Sequence, residues 1–265
     1  MSEDLFKEIL DYTDQLHLPL AEAELASLID DRQVTVDSLL SLRNVIRRIY
    51  ETEHASSVTG LLKTSRLPKE NPKTFENFDF GHLHGKDTAL LKELTSLSPM
   101  YLHKSIAFIG PPGVGKTHLA MAFGYECCQR GYKAYYIKAS ELHSRLAKAV
   151  KYGRDTVGGL VRPSCLIIDE IGRCEFSIET TRLFFDIIDR RNEKQGANCI
   201  IFTSNKFPKT WKDYFREEDS LLCALDRAFD AADVYIFKGK SYRGRQCRTM
   251  AIKVGDDQTE IKPDV

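Results

Sequence analysis

The sequence has no long apolar run; nothing in it approaches the roughly 20 consecutive apolar residues that a membrane-crossing helix needs. Its first ten residues carry Glu3, Asp4 and Glu8 instead of a basic segment followed by an apolar one, so no secretory signal is expected. Net charge is also lacking: 38 Lys+Arg balance 38 Asp+Glu. That excludes a globally cationic nucleic-acid binder and leaves any such contact to local basic patches. The cysteines form no C-x-x-C pair; Cys127 and Cys128 are adjacent, and Cys165 and Cys199 sit inside apolar runs. This argues against a structural zinc or a redox dithiol, and for reduced, buried thiols in a cytoplasmic protein with no membrane partner. Neither an internal repeat nor a low-complexity tract is visible.

What is present divides the chain in two. Residues 5–63 read as helical: Leu5, Ile9, Leu16 and then Leu25 and Leu28 recur at helical spacing, and Thr35 or Asp37 caps a second run containing Leu39, Leu42, Val45, Ile46 and Ile49. Pro68 and Pro72 then interrupt helix formation and mark a linker. Beyond Lys104, short β-rich runs (105–109, 134–137, 165–168, 199–203, 234–237) alternate with helical stretches (116–129, 140–152, 178–193, 221–229). Strands separated by helical lengths imply crossover connections and a three-layer α/β fold around a mainly parallel five-stranded sheet. The expected organisation is a small all-α N-terminal domain (1–66) for partner or DNA interaction, a linker (67–80), an α/β nucleotide domain (81–254) and a disordered polar tail (255–265).

The strongest motif is Gly110-Pro111-Pro112-Gly113-Val114-Gly115-Lys116-Thr117, a full match to G-x-x-x-x-G-K-[ST], with an apolar strand before it and a helix-forming run from His118 after it. Glycines let backbone N–H groups close around phosphate oxygens, and the following helix presents its positive end to the same anion. The nucleotide-contacting set is therefore Gly110 to His118. Lys116 places a point charge on the outer phosphates, and the Thr117 hydroxyl is suited to Mg²⁺. A second apolar strand, Cys165 to Ile168, ends in Asp169-Glu170. In an open α/β sheet such strand ends face the ligand, so Asp169 is expected to serve the metal and Glu170 to activate water. The strand Ile200-Ile201-Phe202-Thr203-Ser204 ends at Asn205, which suits either positioning of the lytic water or a turn. Arg227 and Arg243 suit either transition-state stabilisation or surface ion pairs.

Taken together, these blocks resemble the IstB/DnaC group of AAA+ ATPases, helpers of transposases and loaders of replicative helicases. The resemblance adds Thr74-Phe75-Glu76-Asn77-Phe78-Asp79-Phe80, Leu225-Asp226-Arg227 and Gly239-Lys240-Ser241-Tyr242-Arg243 to the motifs above. It implies an AAA+ P-loop fold, ATP and Mg²⁺ as cofactors, and ATP hydrolysis. It further implies Asn205 as a sensor, Arg227 as an arginine finger reaching a neighbouring subunit of a homo-oligomer, and Arg243 as a second sensor. The linker block would pack near the adenine. Within the group, His17-Leu18-Pro19 and the run from Phe75 to Leu91 are similar to IstB-like proteins, implying a transposase partner, with the DnaC-like helicase loader as the alternative. Asp169-Glu170 replaces the Asp-Asp of many relatives, and the arginine-rich helix that relatives carry before the linker is mild here.

Arg145, Lys148 and Lys151 fall three residues apart on one helix, with Arg154 beyond. They form a local basic patch suited to DNA phosphates or to plain solvation. Two other classes fit the phosphate loop less fully: a small-molecule kinase, with Arg227 and Arg243 as lid residues, and a nucleotide-bound scaffold with little turnover.

Overall fold

The computed structural model describes residues 2–18, 21–30, 34–85, 87–153, 155–215, 232–239 and 241. The expected helix at 221–229 and the tail at 255–265 lie outside them. The chain begins with three helices, α1 (Ser2–Gln15), α2 (Glu22–Asp30) and α3 (Val36–Ser65). Of the two capping residues that the sequence offered for α3, Thr35 does the work: its Oγ1 accepts the Ser38 N–H at 3.2 Å, satisfying one of the helix's unpaired donors. Leu5, Ile9, Leu25, Leu39 and Ile46 bury one another in a small separate core.

Helix α3 is 30 residues long, about 45 Å at the α-helical rise. It therefore serves two cores. Its first half closes the N-terminal cluster, while Leu61 and Leu62 in its last turns pack against the sheet-bearing core. The helix stops at Arg66, which adopts a left-handed conformation (φ 64°). There its guanidinium pairs with Glu141 at 2.5 Å.

After an extended stretch come two short helices, α4 (Thr88–Glu93) and α5 (Ser98–Tyr101), which were not evident in the sequence because each is too short to show a period. The α/β part follows: β1 (Ile106–Ile109), α6 (Lys116–Gln129), β2 (Ala134–Lys138), α7 (Ala139–Tyr152), α8 (Val157–Val161), β3 (Cys165–Ile171), α9 (Ile178–Asn192), β4 (Cys199–Ser204) and β5 (Asp233–Ile236). A 3₁₀ segment, Pro208–Tyr214, follows β4. The sheet order is β2-β3-β4-β1-β5 and every pairing is parallel.

Both faces of the central strands β3, β4 and β1 are buried, which is why they read as continuous apolar runs. Ala107, Ile109, Leu166, Ile168, Ile200 and Phe202 face α7, α8 and α9. The alternate residues Ile106, Phe108, Cys165, Ile167, Cys199 and Ile201 face α6. Period-2 alternation thus sorts runs of four to seven residues into two cores and produces helix, sheet and helix in three layers. The order also places β4 between β1 and β3, so residues leaving the C-terminal ends of these three strands meet in one crevice.

One buried cation supports the opposite end of the sheet. Arg191 is 0 % exposed and donates to the carbonyls of Leu160, Val161, Pro163, Ser164 and Cys199 at 2.8–3.3 Å. It ties the end of α8 to the starts of β3 and β4. Burial lowers its pKa to about 10.

Candidate nucleotide site

The phosphate loop runs from β1 into α6, and two of its glycines are required by close approach. Gly110 (φ 152°) lies against the chain leaving β5, where an added Cβ would meet Phe237 O at 2.5 Å. Gly115 (φ 98°) would place a Cβ 2.7 Å from Phe78 Cε2. Both combine a left-handed backbone with occupied space, so L side chains are excluded twice over.

Lys116 is buried, 6 % exposed, and its ammonium reaches Gly110 O (2.7 Å), Pro111 O (2.7 Å) and Asn205 Oδ1 (2.8 Å). The phosphate-loop lysine and the polar residue after β4 are therefore in direct contact, although 89 positions apart. Because Oδ1 accepts from Lys116, the Asn205 amide N–H₂ is the end left to face a ligand.

The metal-type residues also converge. Thr117 Oγ1 donates to Asp169 Oδ1 at 2.8 Å. Asp169 is 2 % exposed, and two further hydroxyls donate to it: Tyr136 to Oδ2 at 2.7 Å, and Thr203 to Oδ1. Burial, and then the hydrogen bond to Asp169, push the Tyr136 phenol upward, so it stays protonated as a donor. A hydroxyl beside a carboxylate, both hard oxygen donors, fits Mg²⁺.

Adjacent residues of a regular strand point to opposite faces, but β3 is not regular at Asp169 and Glu170. The register explains it: Ile168 pairs with Phe202 and Ile171 with Ser204, so two residues of β3 oppose Thr203 alone. This bulge turns Glu170 into a left-handed conformation, φ 64°, uncommon for a residue with a side chain. Thr203 holds the bulge from both sides, donating to Asp169 and accepting the Glu170 N–H at 3.0 Å. The Glu170 carboxylate then meets Arg173 at 3.1 Å.

The block ahead of the sheet domain clasps the loop from outside. His118 Nε2 lies 3.0 Å from Thr74 O and 2.8 Å from Asn77 Oδ1; two acceptors require the proton on Nε2. Phe78 covers Gly115 and meets the His118 ring edge-on, centroids 5.1 Å apart. Burial lowers the His118 pKa, and the bond to Thr74 only partly opposes this. Beside Val114 a cleft of about 1130 Å³ opens between α4 and β5, with Leu91, Leu94, Tyr235 and Phe237 among its apolar walls and His82 and Asp87 at its polar side.

The structure thus joins Lys116 to Asn205 and Thr117 to Asp169, and ties the Glu170 backbone to Asp169 through Thr203. Arg227, Arg243 and Arg154 lie outside the described residues. Of the basic helical patch, Lys148 and Lys151 are exposed, whereas Arg145 is half-buried, its guanidinium 5.7 Å from the Tyr135 ring centroid and bonded to the Tyr135 hydroxyl at 2.8 Å. Arg145 is thus engaged with the scaffold. Sequence reasoning assigned no role to Tyr136, Thr203 or Arg173. Tyr136 and Thr203 reach Asp169 only through strand pairing and register, which no single-sequence pattern records. Among the described residues, no helix is long and apolar enough to cross a membrane.

A family model described as IstB-like ATP binding protein matches residues 14–250. A Geobacillus stearothermophilus protein named for insertion sequence IS5376 and for ATP binding is 34% identical over 256 residues, covering 94% of this chain and 99% of the relative. A Pseudomonas aeruginosa counterpart named for insertion sequence IS21 is 32% identical over 209 residues, 78% of this chain and 77% of the relative. Among solved structures, DnaI superposes with a TM-score of 0.53 at 18% identity, covering 68% of this chain and 96% of that one. A DNA replication initiation factor gives 0.51 at 23%, covering 66% and 51%. The latter two share the AAA+ P-loop fold. Matched by that family model over residues 14–250 and 34% identical to a relative along nearly its whole length, the chain belongs to the IstB-like ATP-binding protein family.

Proposed function

We propose that this chain hydrolyses ATP and uses the cycle to control its assembly on DNA in support of a transposase. The observation that carries the ATPase reading is the contact of Lys116 with Asn205 beside that of Thr117 with Asp169. Cation, amide and metal-type oxygens lie at the C-terminal ends of neighbouring strands, where a triphosphate would displace these direct contacts.

Phosphate oxygens would replace the carbonyls that now hold the Lys116 ammonium, and the backbone N–H groups of Gly113 to Thr117 would cradle them. Asp169 and Thr117 would hold Mg²⁺, which supplies charge neutralisation to the phosphates. Glu170, next to Asp169 in the bulge, would accept the proton of the attacking water. Arg173, paired with Glu170 at 3.1 Å, would help to position that carboxylate. The base would enter the cleft beside Val114, whose apolar walls and few polar groups suit a purine.

Arg227 as an arginine finger in trans and Arg243 as a sensor in its own subunit complete the reading, and they make turnover depend on a homo-oligomer. The relatives' association with insertion sequences supports a transposase as partner and DNA as the substrate of assembly. Residues 1–66 would form the partner-facing unit, and Arg145, Lys148, Lys151 and Arg154 would meet DNA.

Sedimentation of the full chain with an ATP analogue, with and without DNA, tests this. Larger assemblies requiring both ligands are expected, along with DNA-stimulated turnover. A monomer under all conditions, or turnover indifferent to DNA and protein concentration, would overturn it. Capture of a replicative helicase instead of a transposase by residues 1–66 within the full chain would replace the partner.

A further inference from the structure

Directly after Asn205 the chain presents Lys206-Phe207-Pro208-Lys209-Thr210-Trp211-Lys212. A 3₁₀ helix has about three residues per turn and a rise of about 2.0 Å, so its side chains eclipse every third position. The segment obeys this. Pro208, Trp211 and Tyr214 turn inward: Trp211 is 0 % exposed, and the other two are half-buried. Lys209 and Lys212 stack on an outer edge, about 6 Å apart along the axis, with Lys206 one step before them; all three are exposed. Phe207, beside this row, is 54 % exposed, a large aromatic surface left in water next to aligned cations. Asp213 is the carboxylate of the segment and is also exposed.

The row is rigidly mounted. Trp211 Nε1 donates to Lys206 O at 3.0 Å, and the Phe176 N–H donates to Tyr214 O at 2.8 Å. Phe215 stacks on Phe176 at 4.7 Å. Phe176 in turn meets His143 of α7 at 5.3 Å, so the row lies on the same side of the sheet as Lys148 and Lys151. The stem of Lys206 lies against Gly172, where an added Cβ would come 3.3 Å from Lys206 Cγ, next to Arg173.

We propose that Lys206, Lys209 and Lys212 contact the phosphate backbone of DNA while Phe207 stacks on an accessible base, of a single strand or of an unstacked duplex step. Aligned cations beside an exposed aromatic face are the chemistry that holds nucleic acid without sequence choice. Cations alone would suit an acidic protein equally; the exposed ring beside them favours a base-bearing polymer. This assignment rests on the reading that the chain acts on DNA, and it adds a surface that the basic residues of α7 do not include.

Fluorescence anisotropy of the full chain, bound to an ATP analogue, with a labelled oligo(dT) and a duplex of equal length tests it. Lys209→Gln with Lys212→Gln is expected to weaken binding tenfold or more. The slope of log affinity against log salt should flatten by about 1.4 for the single strand, two phosphates' worth of counterions. Phe207→Ala should cost about fivefold to a hundredfold, the range of one base stack, and more on oligo(dT) than on the duplex. Affinity for the analogue should not change. If the wild-type chain binds DNA and the variants match it in affinity and slope, the ridge is not the contact, and the DNA reading survives through another surface. If the wild-type chain binds no DNA, both fall. Variants that bind DNA with wild-type affinity and salt slope yet fail to form the larger assemblies seen with analogue and DNA would mark the ridge as an interface between copies and overturn the proposal.

Discussion

Thr203→Val removes one hydroxyl at nearly constant volume, and the structure makes its consequence calculable. That hydroxyl donates to the buried carboxylate of Asp169 and accepts the Glu170 N–H. A hydrogen bond to a charged group contributes about 1.5–3 kcal/mol, and a buried N–H left without an acceptor costs about 1–3 kcal/mol. The two losses share one atom and are not fully additive; about 3 kcal/mol is a conservative total. For a chain of this size that corresponds to a fall in melting temperature of about 6–12 °C. Thr203→Ser keeps the hydroxyl and loses a methyl, so it should cost only about 1 kcal/mol. Thermal unfolding without nucleotide, followed by circular dichroism, compares the three proteins. The same valine should slow turnover, because both carboxylates lose their shared support. Valine and serine variants melting together, or valine melting with wild type, would refute the claim that Thr203 holds the bulge.

Gly115→Ala should weaken ATP-analogue binding by tenfold or more in a titration, since its Cβ would strike Phe78 at 2.7 Å from a backbone at φ 98°. Glu170→Gln should retain nucleotide affinity and lose about 10²- to 10⁴-fold in turnover, the usual contribution of a general base; normal turnover would remove it from that role. His118, whose pKa burial holds below 6.5, makes the folded chain bind fewer protons than the unfolded one just under that pH. Its contribution to stability is therefore complete above pH 6.5 and is lost as pH falls toward the lower folded value. His118→Gln should flatten that part of the profile of melting temperature against pH. Arg191→Met leaves five carbonyl bonds unmade and should cost about 3 kcal/mol or more, read as a lower melting temperature; an unchanged value would show those carbonyls satisfied by water.

The parts of this site legible in the sequence are those where one chemical demand governs contiguous residues. The glycines, Lys116 and Thr117 follow one another because a single turn must wrap a phosphate, and the strand before Asp169 is apolar because both its faces are buried. Period and motif reported these directly. Residues joined only by tertiary register were not legible. Tyr136 reaches Asp169 because β2 pairs with β3 as an edge strand, and Thr203 meets both acids because β3 carries one extra residue there. Neither fact leaves a local trace. Helices α4 and α5 escaped notice because six and four residues are too few for the helical period to repeat. The lysine row after Asn205 was visible as letters, but only the 3₁₀ geometry and the buried Trp211 align it. Arg145 shows the converse: spacing put it on a shared face, while a neighbouring tyrosine took up its guanidinium.

The most direct test of the account is calorimetric titration of the full chain with a non-hydrolysable ATP analogue, in Mg²⁺ and in chelator, for wild type, Lys116→Ala and Asp169→Asn. The account predicts binding that Mg²⁺ strengthens, a loss of tenfold or more for Lys116→Ala in either condition, and for Asp169→Asn a loss of the Mg²⁺ effect alone. Equal affinity of wild type and Lys116→Ala, or a Mg²⁺ effect untouched by Asp169→Asn, would contradict it.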